Sequence, residues 1–277
     1  TAAHGRPVRK IMSQLSFESL FMTDTATAQI VNQPPVTPPR MLHPDEARRE
    51  FIRVFRHLAP YMRRLEVFRD FVSLAARELD MARVRSPENI GESRRICDRY
   101  KPDDISDFKQ LFCLMVTALE GKFQDFLGSL LMELELGATE MAQFFTPYPL
   151  QQLMARMLSQ DAPAVVAREG FITVDEPACG SAGMIVAWAE CMLEAGLNPS
   201  EHLYTRCTDI DPMVSDIAFI QLSLLGIPAE VITGNTLTLK ANRVRYTPVY
   251  YLNDWPGKLA FRRRIDAMRN FLATEAA

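Results

Sequence analysis

The residues best placed to do chemistry form the run Glu176-Pro-Ala-Cys-Gly-Ser-Ala-Gly183, followed by Thr208-Asp-Ile-Asp-Pro212 and Gly234-Asn235. The first run follows the β-branched stretch Phe171-Ile-Thr-Val-Asp175 and leads into an apolar, helix-like segment at 183–195. A glycine turn between strand and helix is where an open parallel sheet receives a nucleotide, at the carboxyl ends of its strands. Gly180 lets the backbone approach a ligand, and Gly183 lets the helix start close beside the strand. An acid at Glu176 can pair with a cationic ligand group. A carboxylate at the end of a second strand accepts two hydrogen bonds from ribose hydroxyls, a task for which neither a lysine nor an amide is as well suited. Asn235 can donate and accept at once, which suits an adenine edge; a plain turn asparagine is the other reading.

These motifs need a frame. Phe171–Asp175, Leu203–Thr208 and Ala229–Thr233 read as strands, with helices expected over 183–195 and Pro212–Leu225, a strand–helix alternation that makes a parallel α/β unit. Asp211 precedes Pro212 and is expected to cap the second of these helices. Val249–Leu252 reads as a fourth strand. Upstream the pattern is helical: Phe51, Phe55 and Leu58, then Leu65, Phe68, Val72 and Ala75, recur at helical spacing. Ser86-Pro87-Glu88 reads as a helix start, and a further helical block is expected from about Ile105 to Leu136, closed by Gly137. Pro34-Pro-Val-Thr-Pro-Pro39 reads as a linker. The expected organisation is a flexible Pro-rich segment over 1–42, a helical domain over 43–140, a cofactor-binding α/β domain over 141–257 and a basic helix over 258–277.

Charge is strongly segregated behind a net −3: residues 40–101 carry 15 Lys/Arg against 10 Asp/Glu, residues 102–240 carry 6 against 19, and residues 241–277 carry 7 against 3. A phosphate backbone would meet the Arg-rich front or the tail and not the middle, unless those arginines are simply solvated helix faces. Arg48, Arg49, Arg63 and Arg64, with Arg262, Arg263 and Arg264, are the candidate DNA contacts. Five cysteines without a C-x-x-C pair and only four histidines suggest no metal and a reduced, cytoplasmic setting. No apolar run long enough to cross a membrane is present, and the first residues lack the apolar stretch of a secretory signal.

The run at 176–183 resembles the first motif of the gamma-type adenine-N6 DNA methyltransferases, including the modification subunits of type I restriction systems. Members usually read (Asp/Glu)-Pro-Ala-Cys-Gly-Ser-Gly-Gly there, so Ala182 replaces a glycine. Gln143-Phe-Phe-Thr-Pro147 resembles the cofactor-contacting segment that precedes the first strand in this class, and Asp125-Phe-Leu-Gly128 through Gly137 resembles the helix leading into it. Thr146 can also cap the helix that follows, with Pro147 at its first position. The resemblance implies S-adenosylmethionine as cofactor, contacted by Phe145, Thr146, Pro147, Glu176, Ala178, Cys179, Gly180, Gly183, Asp209, Ile210 and Asn235. In it, Glu176 faces the methionine amino group, Cys179–Gly183 lies along the cofactor, Asp209 holds the ribose and Asn235 meets the adenine. The rival reading as a dinucleotide oxidoreductase fails, because the run is not a G-x-G-x-x-G.

The family's catalytic motif, Asn/Asp-Pro-Pro-aromatic, occurs nowhere in the chain. Asn253-Asp-Trp-Pro256 falls in the expected window with its proline after the aromatic, which makes Asn253 and Trp255 the candidate base-holding pair of a degenerate motif. Only 22 residues follow Trp255, too few for the further strands of full members. Three readings follow. The protein methylates adenine in DNA; or it is an inactive, regulatory relative that acts on restriction machinery; or it is a partial subunit completed by another chain. A homo-oligomer is compatible with each.

Overall fold

The computed structural model describes residues 42–81, 86–134 and 146–275. Gly137 and Phe145 lie outside these residues, as does the linker read at 34–39. The described residues begin with helices α1 (Pro44–His57), α2 (Arg64–Met81), α3 (Pro87–Cys97), α4 (Pro102–Gly121) and α5 (Phe126–Glu133). Ser86 caps α3 as the sequence predicts, its hydroxyl accepting from the Asn89 amide at 3.1 Å. The helical block expected over 105–136 consists, among the described residues, of two helices. Gly121 ends α4 pressed against the Pro44 ring, and the chain turns so that Asp125 starts α5 with its carboxylate on the Gly128 amide.

Helices α6 (Tyr148–Leu158) and α7 (Ala162–Glu169) then lead into the sheet. Strand β1 (Ile172–Glu176), helix α8 (Gly183–Glu194), the single turn α9 (Pro199–His202), β2 (Leu203–Asp209), α10 (Pro212–Leu224) and β3 (Ala229–Asn235) form the expected parallel unit. Asp211 caps α10, with its Oδ1 accepting from the amides of Met213 and Val214. Strand β4 (Lys240–Tyr246) returns antiparallel to β3, giving the order β1-β2-β3-β4. The fourth strand expected at Val249–Leu252 is in fact a helix, α11 (Pro248–Leu252), with proline in its first turn, and α12 (Trp255–Glu275) follows.

One apolar core runs through both halves of the chain. Helix α1 lies along α4, and α10 covers β2 and β3 on one side while resting on α2 on the other. Phe51 meets Phe71 and Phe126 edge-on at 5.4 and 5.3 Å, and the same buried cluster continues to Val231 in β3. Helix α10 is buried all round, which is why its sequence shows almost no polar face. On the other face of the sheet, Phe171, Tyr204, Tyr250 and Trp255 pack together towards the strands' amino ends. On β1, Thr173 and Asp175 are exposed, and among the described residues no strand pairs with its outer edge.

Candidate functional site

Because β1, β2 and β3 are parallel, Glu176, Asp209 and Asn235 all arrive at one end of the sheet. The 176–183 turn is then folded onto β2. The Cys179 amide donates to the Thr208 carbonyl at 2.9 Å, and the Gly180 amide donates to Asp209 Oδ2 at 3.0 Å. Asp209 Oδ1 accepts from the Asp211 amide at 2.9 Å. A carboxylate has about four acceptor directions, so two backbone bonds fix Asp209 and leave capacity for a pair of hydroxyls. Its neighbour Ile210 is 62% exposed, an apolar wall beside that carboxylate. On the far side, the Thr236 hydroxyl donates to the Pro177 carbonyl at 2.5 Å and ties the β3–β4 connection to the turn. Asn235 uses its side-chain oxygen on the amides of Leu237 and Thr238, at 2.9 and 3.1 Å, so the turn reading describes that oxygen.

Two residues of the turn have left-handed backbone: Gly180 at φ +55° and Ala182 at φ +64°. Ala182 stands where relatives have glycine, and it is fully buried. Left-handed backbone costs an alanine about 1 kcal/mol, small enough for the rest of the turn to hold. The Cys179 thiol, hydrogen-bonded with Cys207 and buried, is held well above its usual range.

A buried polar network that the motif reading did not identify carries this turn. Asp125, 2% exposed, accepts from the Gly128 amide (3.1 Å) and from Gln221 Nε2 (2.9 Å) on one oxygen, and from the Ser181 hydroxyl (2.8 Å) on the other. Gln221 Nε2 also reaches the Ser181 carbonyl at 2.8 Å, and Gln221 Oε1 accepts from the Leu127 amide at 2.9 Å. Gly128 lies so close that a Cβ there would sit 2.4 Å from both Asp125 Oδ2 and Ser181 Oγ. The turn is thereby fastened to α5 and α10. The available signal in the sequence was Gln221, a lone amide in an apolar helix, and Asp125 three residues before a glycine. Burial pushes the Asp125 carboxyl up, against its hydrogen bonds from Gln221, Ser181 and Gly128.

Other expected residues sit elsewhere. Thr146 is exposed and makes no cap; Pro147 occupies the cap position, and α6 begins one residue later than expected. Asn253 and Trp255 are at the opposite end of the sheet. Asn253 Nδ2 and Trp255 Nε1 both donate to the Ser200 carbonyl, at 3.0 and 3.1 Å, just before β2 begins. Trp255 is fully buried, edge-on to Phe171 at 5.1 Å and stacked on Tyr204 at 5.7 Å. The five residue steps from Tyr204 to Asp209 span about 16 Å of strand, which separates this pair from the turn. Its aromatic and amide serve the packing of α12 against the sheet.

The arginines divide in the same way. Arg64 donates to the carbonyls of Phe55, Leu58, Ala59 and Met62 and closes the end of α1. Arg48 holds α5 through Ser129 Oγ (3.1 Å) and Glu133 (2.6 Å). Arg262 binds the Glu169 carbonyl and lies over the Phe171 ring. These three are structural; Arg49, Arg63, Arg263 and Arg264 are exposed.

The fold is an α/β domain whose parallel strands bring Glu176, Asp209 and Asn235 to one end of the sheet. Residues 124–249 match the family described as N-6 DNA Methylase, which bears out the resemblance read from the sequence and implies S-adenosylmethionine as cofactor. No curated protein matches the chain. A solved structure from Listeria monocytogenes, described as a class I S-adenosylmethionine-dependent methyltransferase, is similar over 67% of this chain and 52% of its own, at 15% identity and a TM-score of 0.39. The chain thus spans about half the length of that protein.

The side chains at the strand ends are chemically suited to an adenosyl amino acid. Asp209 is anchored yet half-exposed, and Glu176 is half-buried at the neighbouring strand end. A Cβ on Gly183 would lie 2.2 Å from Gln151 Oε1, so the Gln151 amide would have to move to admit one. That Gln151 oxygen is itself buried without a partner. No helix among the described residues is long and apolar enough to cross a membrane, and no cluster of three or more His, Cys, Asp or Glu there could hold a metal.

Proposed function

We propose that the crevice between the 176–183 turn and the β3–β4 connection holds S-adenosylmethionine, and that the chain serves methylation of adenine in DNA. The observation that carries this reading is the Asp209 carboxylate, fixed by two backbone amides with its remaining acceptor directions open. In this arrangement Asp209 binds the ribose hydroxyls and Ile210 flanks the adenine. Glu176 faces the methionine ammonium, and the backbone from Cys179 to Gly183 follows the amino-acid portion, reached from the other flank by Thr146 and Pro147. When bound, the cofactor supplies a methyl group on a sulfonium, electrophilic enough to need no covalent enzyme intermediate. The protein's part is alignment of the two reactants.

A second reading is favoured by a specific observation: Asn253 and Trp255, the only residues in the sequence resembling a base-holding motif, are packed at the wrong end of the sheet. The outer edge of β1 has no partner among the described residues, and α6 exposes Leu150, Leu153, Met154, Met157 and Leu158 at helical spacing. Both features support a chain that binds the cofactor while the groups that hold the base come from another polypeptide. Tritiated methyl transfer to unmethylated DNA separates the readings. Transfer by the chain alone supports the first, whereas cofactor binding without transfer supports the second.

DNA is the proposed macromolecular partner, met by the exposed arginines. Reversing the charge of Arg49 and Arg63 together is expected to weaken DNA binding and to flatten the log–log salt dependence by about two. An unchanged slope would remove these residues from the interface. Arg64→Glu, by contrast, is expected to lower the unfolding midpoint, since it strips four carbonyls of their donor.

A further inference from the structure

Helix α8 begins without a cap. Ala182 precedes it and has no side-chain acceptor to offer, so the first amides of the helix present unmatched donors at the turn. Beside them lies a second unmatched group of opposite kind. Gln151, 7% exposed on α6, has its amide flat against Gly183, and its Oε1 is buried with no hydrogen bond. A buried acceptor left unpaired costs about 1–3 kcal/mol, so a ligand that satisfies it gains that much over one that does not. The face of α6 that carries it is otherwise fastened to α8, with the Tyr148 hydroxyl and Gln152 Nε2 both donating to Glu190.

We infer that Gln151 recognises the amino-acid end of the cofactor. Donors at the start of α8 and an acceptor on Gln151 stand side by side, the complement of an α-carboxylate next to an α-ammonium. In the orientation it has here, the amide offers its Oε1 beside Gly183 as the acceptor for the ammonium. The inference rests on the crevice being an adenosyl site and adds a determinant to it: Gln151 selects ligands that keep the zwitterion over adenosyl compounds that lack it. It assigns Gln151 no part in the methyl transfer itself.

Calorimetric titration of the full chain with two probes tests this. S-Adenosylhomocysteine carries the amino-acid end; 5′-methylthioadenosine shares the adenosyl thioether and lacks it. Gln151→Leu, which fills the same space, is expected to weaken S-adenosylhomocysteine about tenfold, the equivalent of one hydrogen bond, and to leave 5′-methylthioadenosine unchanged. Gln151→Met repeats the comparison should the leucine variant fail to fold. Equal weakening of both ligands, or of neither, overturns the inference while leaving the adenosyl site standing. Failure of the unsubstituted chain to bind either compound overturns the adenosyl site and the inference with it.

Discussion

Trp255→Ala is expected to lower stability by about 3–5 kcal/mol, a fall of roughly 10 °C in Tm for a chain of this size, without changing affinity for the cofactor. The indole is fully buried between Phe171 and Tyr204, and Lys258 Nζ lies 4.7 Å above its ring. Its removal empties the joint between α12 and the amino ends of β1 and β2. The Ser200 carbonyl keeps the Asn253 amide as a donor, so the loss is mainly one of packing. Urea unfolding and ligand titration on the same preparation measure the two effects separately. A Trp255→Ala protein that remains as stable as the parent but loses ligand affinity would contradict the placement of this residue away from the crevice.

Asp125→Ala is expected to reduce both stability and cofactor affinity, by removing the acceptor shared by Gly128, Ser181 and Gln221. Three donors lose a partner in a buried space, and a penalty of about 3–5 kcal/mol follows from about 1–3 for each unsatisfied group, partly relieved because Gln221 keeps the Ser181 carbonyl. Ser181 lies within the turn, so its freedom passes directly to the ligand site. Asp125→Asn distinguishes charge from connection. Burial raises this carboxyl above its unfolded value, so the folded chain takes up the proton more readily than the unfolded one. Its contribution to stability is therefore full below a pH of about 4 and declines as pH rises through the raised value. The asparagine variant should lack that part of the decline. If denaturation midpoints of Asp125→Asn and the parent fall in parallel with pH, the carboxyl does not titrate as described.

The site was legible in the sequence to the extent that local rules govern it. A β-branched run into a glycine turn, and Asp211 before Pro212, specify their geometry within a few residues, and the structure agrees with both. The second half of the sheet was not, because its residues answer to distant partners. Strand β4 places Arg243 and Arg245 on its inner side, where both donate to Asp216 of α10, so the alternation expected of a strand is disguised by inward charges. Burial draws the Arg245 guanidinium down to about 10 even beside that carboxylate. The run Val249–Leu252 is equally short and apolar as strand or helix, and Pro248 in the first turn decides for helix. Asn253 and Trp255 fell in the expected window counted from Asn235, but the helix over Pro248–Leu252 carries them to the Ser200 carbonyl, at the amino end of β2. Asp125 and Gln221 stand 96 positions apart, and nothing local announces that they meet.

The central claim is that the parallel strand ends form a working adenosyl site. Isothermal titration of S-adenosylmethionine into the purified chain, with Asp209→Ala alongside, tests it most directly. The parent is expected to bind, and the variant to lose at least about 100-fold in affinity, since two charged hydrogen bonds to ribose and the tether to Gly180 go together. No binding by the parent, or binding that Asp209→Ala leaves intact, would contradict the site described.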